Sequence, residues 1–178
     1  AGMQLGATHS QSFETWLCET PGLKVVAPSN PSDALGLLRA SIKDPNPVIF
    51  AESAGLYGVK GEVSDGYFEV EIGKAMVRKQ GTDVTLVSYG HGMPMIEKAQ
   101  EELQKKNIDA EVIDLRSLNP LDLETIISSV QKTGRLLLLD TARKTGGVMA
   151  EVAASVQSES GDYLDGPIIR VGSEDVPW

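Results

Sequence analysis

The chain has 178 residues, with 16 basic and 25 acidic side chains and a formal net charge of −9. Its 41% hydrophobic and 23% charged residues are typical of a globular protein with one large or two small domains. No basic block and no long apolar run is present, which argues against a nucleic-acid partner, an anionic membrane surface and a membrane-spanning segment.

The first region, residues 1–72, is predicted to contain one β-α-β unit. An apolar run at 23–27 predicts a buried strand, and a helix is predicted to begin at Pro31 with Asn30 as its cap. A second buried strand is predicted at 48–51, parallel to the first. The helix is expected to pack on the core through one apolar stripe, made of Leu35, Leu38 and Ile42.

The second region, residues 73–178, follows a glycine-bearing connector at 58–67 and alternates strands with helices. Strands are predicted at 84–88, 110–114, 136–139 and 168–171. Helices are predicted at 94–106, 123–130 and 149–156, the first with exposed Glu101–Lys105 and Glu102–Lys106 pairs. This order predicts an α/β fold with an open, mostly parallel sheet and helices on both faces.

Few side chains point to chemistry by their pattern alone. His9 and His91 are the only histidines, and neither lies in a zinc-binding or hydrolase motif. The single cysteine, Cys18, excludes an internal disulfide, suits a reducing compartment and is expected to be a small buried apolar residue. The glycines at 146 and 147 precede a predicted helix, where backbone N–H groups either bind an anion or simply start the helix.

Three segments carry a resemblance to a known family. They are HSQSFETWLCETPGLKVVAPSNPSDA at 9–34, LYGVKGEV at 56–63 and EVIDLRSLNPLDLETI at 111–126. The chain resembles the β subunit of thiamine-diphosphate-dependent 2-oxo acid dehydrogenases, which include pyruvate, branched-chain and acetoin types. The resemblance implies the C-terminal part of a pyrimidine-binding domain with a connector at 1–72, and a transketolase C-terminal-type domain at 73–178.

The resemblance also implies a reaction, partners and cofactors. The reaction is oxidative decarboxylation of a small 2-oxo acid, with transfer of the acyl group to the lipoyl arm of an acyltransferase core. The partners are an α subunit and a second β subunit in an α2β2 assembly, located in the cytoplasm, or in the mitochondrial matrix or plastid of a eukaryote. Thiamine diphosphate and Mg2+ are expected to be held mostly by the partner subunit. The first half of the pyrimidine domain is expected to be missing, so this chain alone is predicted to be inactive.

Site residues follow from the same resemblance. His9 is expected to line the cofactor and substrate channel. Glu19 stands where the family usually has a histidine that handles the substrate or the lipoyl acceptor. Ser41, Asp44 and Asn46 match positions where the family often holds a monovalent cation, expected to be K+. Arg116 is expected to be structural; from its place after the predicted strand 110–114, it could pair with Asp114 or hold a partner's carboxylate.

Two other functions remain open at this stage. Another enzyme of the transketolase group, such as a deoxyxylulose phosphate synthase, would share the architecture but less of the motif. A non-catalytic remnant that only binds a partner or a small anion would fit the loss of the first half-domain and of the histidine at position 19.

Overall fold

The computed structural model describes Gly6 and residues 9–176. Five helices and eight strands are found there, together with 3-10 turns at Ala54–Leu56, Gly90–Gly92 and Gly161–Tyr163. In chain order the elements are α1 (Glu14–Cys18), β1 (Lys24–Val26), α2 (Pro31–Lys43), β2 (Val48–Phe50), β3 (Met76–Lys79), β4 (Val84–Ser88), α3 (Met93–Gln104), β5 (Ala110–Asp114), β6 (Ser117–Asn119), α4 (Leu123–Thr133), β7 (Leu136–Arg143), α5 (Val148–Ser160) and β8 (Ile169–Ser173). None of the described helices is both long and apolar enough to cross a bilayer.

The strands form two sheets. The larger has the order β3-β5-β4-β7-β8, and only its β3–β5 pair is antiparallel. The smaller has the order β2-β1-β6, with β1 and β2 parallel. The predicted α/β fold with a mostly parallel sheet is confirmed, and so is the β-α-β unit of the first region.

Helices cover both faces of the larger sheet, as predicted. On one face, Val87 and Leu138 pack against α4 and α5 in a cluster that also contains Val25 and Ala27 of the first region. On the other face, Leu86 and Val112 pack against Met93 and Ile96 of α3. Because successive side chains of a strand point to opposite faces, neighbouring residues such as Leu86 and Val87 supply different layers. One core therefore extends from the second region into the first.

The buried face of helix α2 differs from the predicted apolar stripe. Its capping is as expected, because the Asn30 side chain accepts the N–H of Asp33 at 2.9 Å. Its buried positions, however, are Asp33, Gly36 and Leu37. The side chains of Leu38 and Ile42 are 44% and 77% exposed. The apolar spacing therefore predicted a helix correctly, but it did not predict which face of that helix is buried.

The connector lies along α2 without regular structure between residues 57 and 75, as its composition suggested. Phe68 and Val70 lie so close to Gly36 that a Cβ there would be 2.5 Å from a Val70 methyl. The guanidinium carbon of Arg39 lies 4.9 Å from the centre of the Tyr67 ring.

The predicted ion pairs of α3 are not formed as expected. One i,i+3 pair, Glu102–Lys105, is present in place of the two predicted i,i+4 pairs.

The two regions meet through β6 and the turn before it. After β5 the chain leaves the larger sheet, and β6 pairs antiparallel with β1, with Asn119 opposite Val25. The turn is made by Arg116 in a left-handed conformation (φ 55°), and its guanidinium donates to Asp33 at 3.2 Å and to the Lys74 carbonyl. Arg116 is thus structural as expected, with Asp33 rather than Asp114 as its ion-pair partner. Asp114 accepts a hydrogen bond from the hydroxyl of Ser29.

Candidate functional site

A cleft of about 570 Å³ opens between the two regions. One wall is formed by the end of α1 and the turn that follows it, and the other by the first turns of α5. The floor is mostly apolar and comes from β6, the start of α4 and α5. Its residues are Leu118, Leu121, Leu123, Val148 and Ala150.

Glu19 lies at the rim of this cleft, at the end of α1. Glu14–Cys18 forms a short helix that was not predicted from the sequence. The N–H of Glu19 continues it by donating to the Thr15 carbonyl at 3.2 Å. Gly22, at φ 88°, then turns the chain into β1, and this conformation favours glycine. The Glu19 side chain is exposed.

The opposite wall contains the glycine pair singled out in the sequence. Gly146 has φ 64°, and Gly147 stands before the first residue of α5 without a capping side chain. Glu151, in the first turn of α5, also lines the cleft and is exposed. The structure therefore brings Gly146 and Gly147 into the same cleft as Glu19. Two carboxylates at the rim oppose an inorganic anion, so the glycine pair is better explained as a helix start.

A buried polar layer packs beside the cleft. The hydroxyl of Tyr89 donates to Asp140 Oδ1 at 2.9 Å, and the N–H of Ala142 donates to the same oxygen at 2.8 Å. Burial raises the pKa of both Tyr89 and Asp140. Burial, with a smaller contribution from Glu14, raises the pKa of the Cys18 thiol to about 11. Cys18 is half-buried against the main core, so it fits the predicted apolar role and not that of a nucleophile.

His9 is separate from the cleft lining. Its side chain is exposed, and its N–H donates to the Gly6 carbonyl at 3.3 Å. Ser10 beside it is buried. His91 lies on the 3-10 turn after β4, where its ring packs against Gly55. The expected channel position of His9 stays a prediction.

The three candidate cation ligands lie around the end of α2. Asp44 forms an ion pair with Lys24 and accepts the backbone and side-chain N–H groups of Asn46 at 2.9 and 3.0 Å. The Lys24 ammonium, followed by the Asn46 N–H, lowers the pKa of Asp44 to about 2. The Ser41 hydroxyl donates to the Leu37 carbonyl at 2.7 Å. Asp44 and Asn46 are thus in contact, whereas the Ser41 side chain bonds to its own helix.

Sequence reasoning missed two residues of the cleft. Glu151 is one of many acidic residues on helix surfaces, and no local pattern distinguishes it. Asn119 lines the floor and donates to backbone carbonyls at both ends of the Glu19 turn. The only signal for Asn119 was its place after strand β5, and the partner carbonyls are about a hundred residues away.

Comparisons with known proteins agree with this architecture. Residues 73–178 match the family model "Transketolase, C-terminal domain", and residues 1–60 match "Transketolase, pyrimidine binding domain". The chain is 47% identical over 178 residues to the pyruvate dehydrogenase E1 component subunit beta of Rhizobium meliloti, covering 99% of this chain and 39% of the relative. It is 42% identical over 177 residues to the acetoin:2,6-dichlorophenolindophenol oxidoreductase subunit beta of Bacillus subtilis, covering 99% of this chain and 52% of the relative.

A solved structure has the same fold. A chain described as "Split gene transketolase, inactive beta4 tetramer" superposes with a TM-score of 0.76 at 24% identity, covering 92% of this chain and 52% of the other. This chain spans between about two fifths and about half of the length of the relatives named above. The predicted resemblance to these β subunits is confirmed, and the chain belongs to the transketolase family.

Proposed function

We propose that this member of the transketolase family is the β-subunit portion of the decarboxylating component of a 2-oxo acid dehydrogenase. The observation that carries the proposal is the 47% identity to a pyruvate dehydrogenase β subunit over 99% of this chain. The reaction would be oxidative decarboxylation of a small 2-oxo acid with acyl transfer to lipoamide. The 42% identity to an acetoin oxidoreductase β subunit keeps acetoin as the other candidate substrate.

The described residues do not by themselves suit thiamine diphosphate and Mg2+. Among them no group of three His, Cys, Asp or Glu side chains could hold a metal ion. The rim of the cleft has the carboxylates of Glu19 and Glu151, which would repel a diphosphate. We therefore propose that the cofactor and its metal are held mainly by an α subunit in an α2β2 assembly, with a lipoyl acyltransferase core as further partner. The cytoplasm, mitochondrial matrix or plastid would be its compartment.

The contribution of this chain would be the shape and charge of the cleft. A 2-oxo acid is an anion, and a carboxylate about 4 Å away opposes it by roughly 1 kcal/mol in water and by more in a partly buried channel. Glu19 would therefore weaken the binding of an anionic substrate unless it binds a proton or a cationic partner. A histidine at position 19 would have the opposite effect when protonated.

We extend the proposal to a monovalent cation at the end of α2. Its ligands would be backbone carbonyls that lack helical partners, near Ser41, Asp44 and Asn46. The Lys24–Asp44 ion pair already neutralises the Asp44 carboxylate, so K+ would have to bind through carbonyl oxygens. The limit between the two domains at residues 72 and 73 also stays a prediction.

One observation favours a second function. Glu19 occupies a position where the resemblance leads us to expect a histidine, and it lies in a cleft with a second carboxylate. A non-catalytic chain that only binds its partner subunits would tolerate this change. The two functions differ in whether the assembled protein turns over any 2-oxo acid.

The test is an activity measurement on the assembled protein. This chain would replace the matching segment of the Rhizobium meliloti relative, and the hybrid would be co-expressed with an α subunit. Pyruvate- or acetoin-dependent dye reduction would then be followed with thiamine diphosphate and Mg2+. We expect turnover by the assembly and none by this chain alone. Glu19→His should raise the rate of acyl transfer to lipoamide, and Glu19→Gln serves as the control that removes the charge without adding an imidazole.

Two results would contradict the proposal. An assembly of correct size that shows no turnover, either with Glu19 unchanged or with the Glu19→His substitution, would favour the non-catalytic function. Turnover by this chain alone, above a control without protein, would show that the partner subunit is not needed.

A further inference from the structure

The side chain of Asn119 bridges the two ends of the turn that carries Glu19. Its Nδ2 atom donates to the Leu23 carbonyl at 2.8 Å and to the Cys18 carbonyl at 3.3 Å. Cys18 is the last residue of α1, and Leu23 directly precedes β1. Residues 19–22 therefore form a short turn whose two ends are held by one amide from the second region.

The other hydrogen bonds of this turn are local. The N–H groups of Glu19, Thr20 and Leu23 donate to the carbonyls of Thr15, Leu17 and Thr20 at 3.2–3.3 Å, and the Thr20 hydroxyl donates to the Trp16 carbonyl at 3.3 Å. The Cys18 carbonyl belongs to the last turn of α1, where carbonyls have no helical N–H partner. An asparagine amide has two N–H donors, so one side chain can satisfy both carbonyls. Asn119 is thus a side chain of the second region that bridges both ends of the turn.

The backbone of Asn119 has a separate role. Strand β6 pairs with β1 through main-chain groups, with Asn119 opposite Val25 and Ser117 opposite Val26. Those bonds do not depend on the side chain at position 119. Removing the amide should therefore leave the ladder in place and release only the turn.

We propose that Asn119 is a positioning residue for the side chain at position 19, and that its amide determines the tolerance of the cleft for an anionic substrate. This inference rests on the proposed function for the part that concerns substrate. Without the amide, the turn gains conformational freedom and the Glu19 carboxylate moves relative to the apolar floor.

The first test measures backbone amide exchange in this chain by NMR. Asn119→Ala should speed exchange at the N–H groups of Glu19 and Leu23 by about tenfold or more. The reason is that the variant loses the hydrogen bonds to the Cys18 and Leu23 carbonyls, which hold the two ends of the turn. The N–H of Ala27, which donates to the Arg116 carbonyl at 2.8 Å, should be unaffected. Asn119→Asp should have a larger effect, because carboxylate oxygens would face two carbonyl oxygens with no donor between them.

The matched control is Asn46→Ala, which also removes an asparagine amide from a turn of the first region. It should leave exchange at Glu19 and Leu23 unchanged. Unchanged exchange at these two amides in Asn119→Ala would overturn the proposal. An equal increase along β1 and at Ala27 would also overturn it, since it would show that the side chain holds the sheet and not the turn.

The second test uses the assembled protein described above. Asn119→Ala should change the KM for the 2-oxo acid more than kcat, because the amide acts on the group that meets the incoming anion and not on the reacting bond. An equal loss in both quantities, or no change in either, would contradict the substrate part. If the assembly has no activity even with Asn119 intact, the proposed function fails, and the exchange measurement still decides whether Asn119 positions the turn.

Discussion

Helices α2 and α4 have similar apolar spacing but differ in what covers them. In α4, Ile126 and Val130 are fully buried between the larger sheet and α5. In α2, Leu37 is fully buried, while Leu38 and Ile42 of the predicted stripe are partly and mostly exposed. The larger sheet has five strands and the smaller has three, one of them supplied by the second region. The face of a helix that is buried therefore depends on how much sheet is available to it.

The largest expected difference lies between neighbouring positions of α2. Leu37→Ala should lower the free energy of unfolding by about 3 kcal/mol, because it leaves a cavity in a closed site. Leu38→Ala should cost less than about 1 kcal/mol, since that side chain is 44% exposed. Urea denaturation of both variants checks this. Equal losses would mean that α2 has the same wide buried face as α4.

The second prediction concerns Asp114, which joins the two regions through Ser29 and faces Asp33, Arg78 and Arg116. Burial raises its pKa to about 6, despite the Ser29 hydrogen bond. The folded state therefore binds a proton that the unfolded state releases at lower pH, and the contribution of Asp114 to stability falls as the pH rises from about 4 to about 6.

Asp114→Asn should remove this fall. The variant should gain on the order of 2 kcal/mol relative to the unchanged chain between pH 4 and pH 7, as measured by denaturation at several pH values. Asp65→Asn, at an exposed position of the connector, is the control for a simple change of charge. A pH profile of Asp114→Asn parallel to that of the unchanged chain would contradict the prediction.

The smallest effect is expected at the open face of α2. Leu38 and Ile42 are one helical turn apart and exposed, so we predict that the chain self-associates through them. Ile42→Lys should weaken self-association about tenfold in light scattering, a change of about 1.4 kcal/mol. Met95→Lys on α3, at a position 53% exposed, should not. The prediction would be refuted if the chain is a monomer at all concentrations, or if both variants weaken self-association equally.

The sequence identified the elements that have strong local patterns. Strands β4 and β5 were predicted to the residue, although each contains polar side chains such as Thr85 and Glu111, because the strongly periodic helix α3 separates them. Strand β3 was missed, since it is an edge strand with alternating exposure and polar residues at Arg78 and Lys79. Helix α1 was missed because five residues are too few for the periodicity of a helix to be recognised.

The candidate site was only partly predictable. Glu19 was found through the resemblance, and the glycines before α5 through their place at a helix start. The sequence could not show that Glu19 and these glycines line the same cleft, because this depends on how α1 packs against α5. Asn119 could not be found either, since its role arises from carbonyls that are 96 and 101 residues earlier in the chain.

The pairing of β6 with β1 has a consequence for synthesis on the ribosome. Val25 and its partner Asn119 are 94 residues apart in the chain, by subtraction of their numbers. At about 5–20 residues per second, translation takes roughly 5–20 s to cover that distance. Among the described strands, β1 has only β2 as a partner during this interval, and a two-stranded pair is marginally stable in water. The smaller sheet seen in the structure is therefore completed only after β6 has left the exit tunnel.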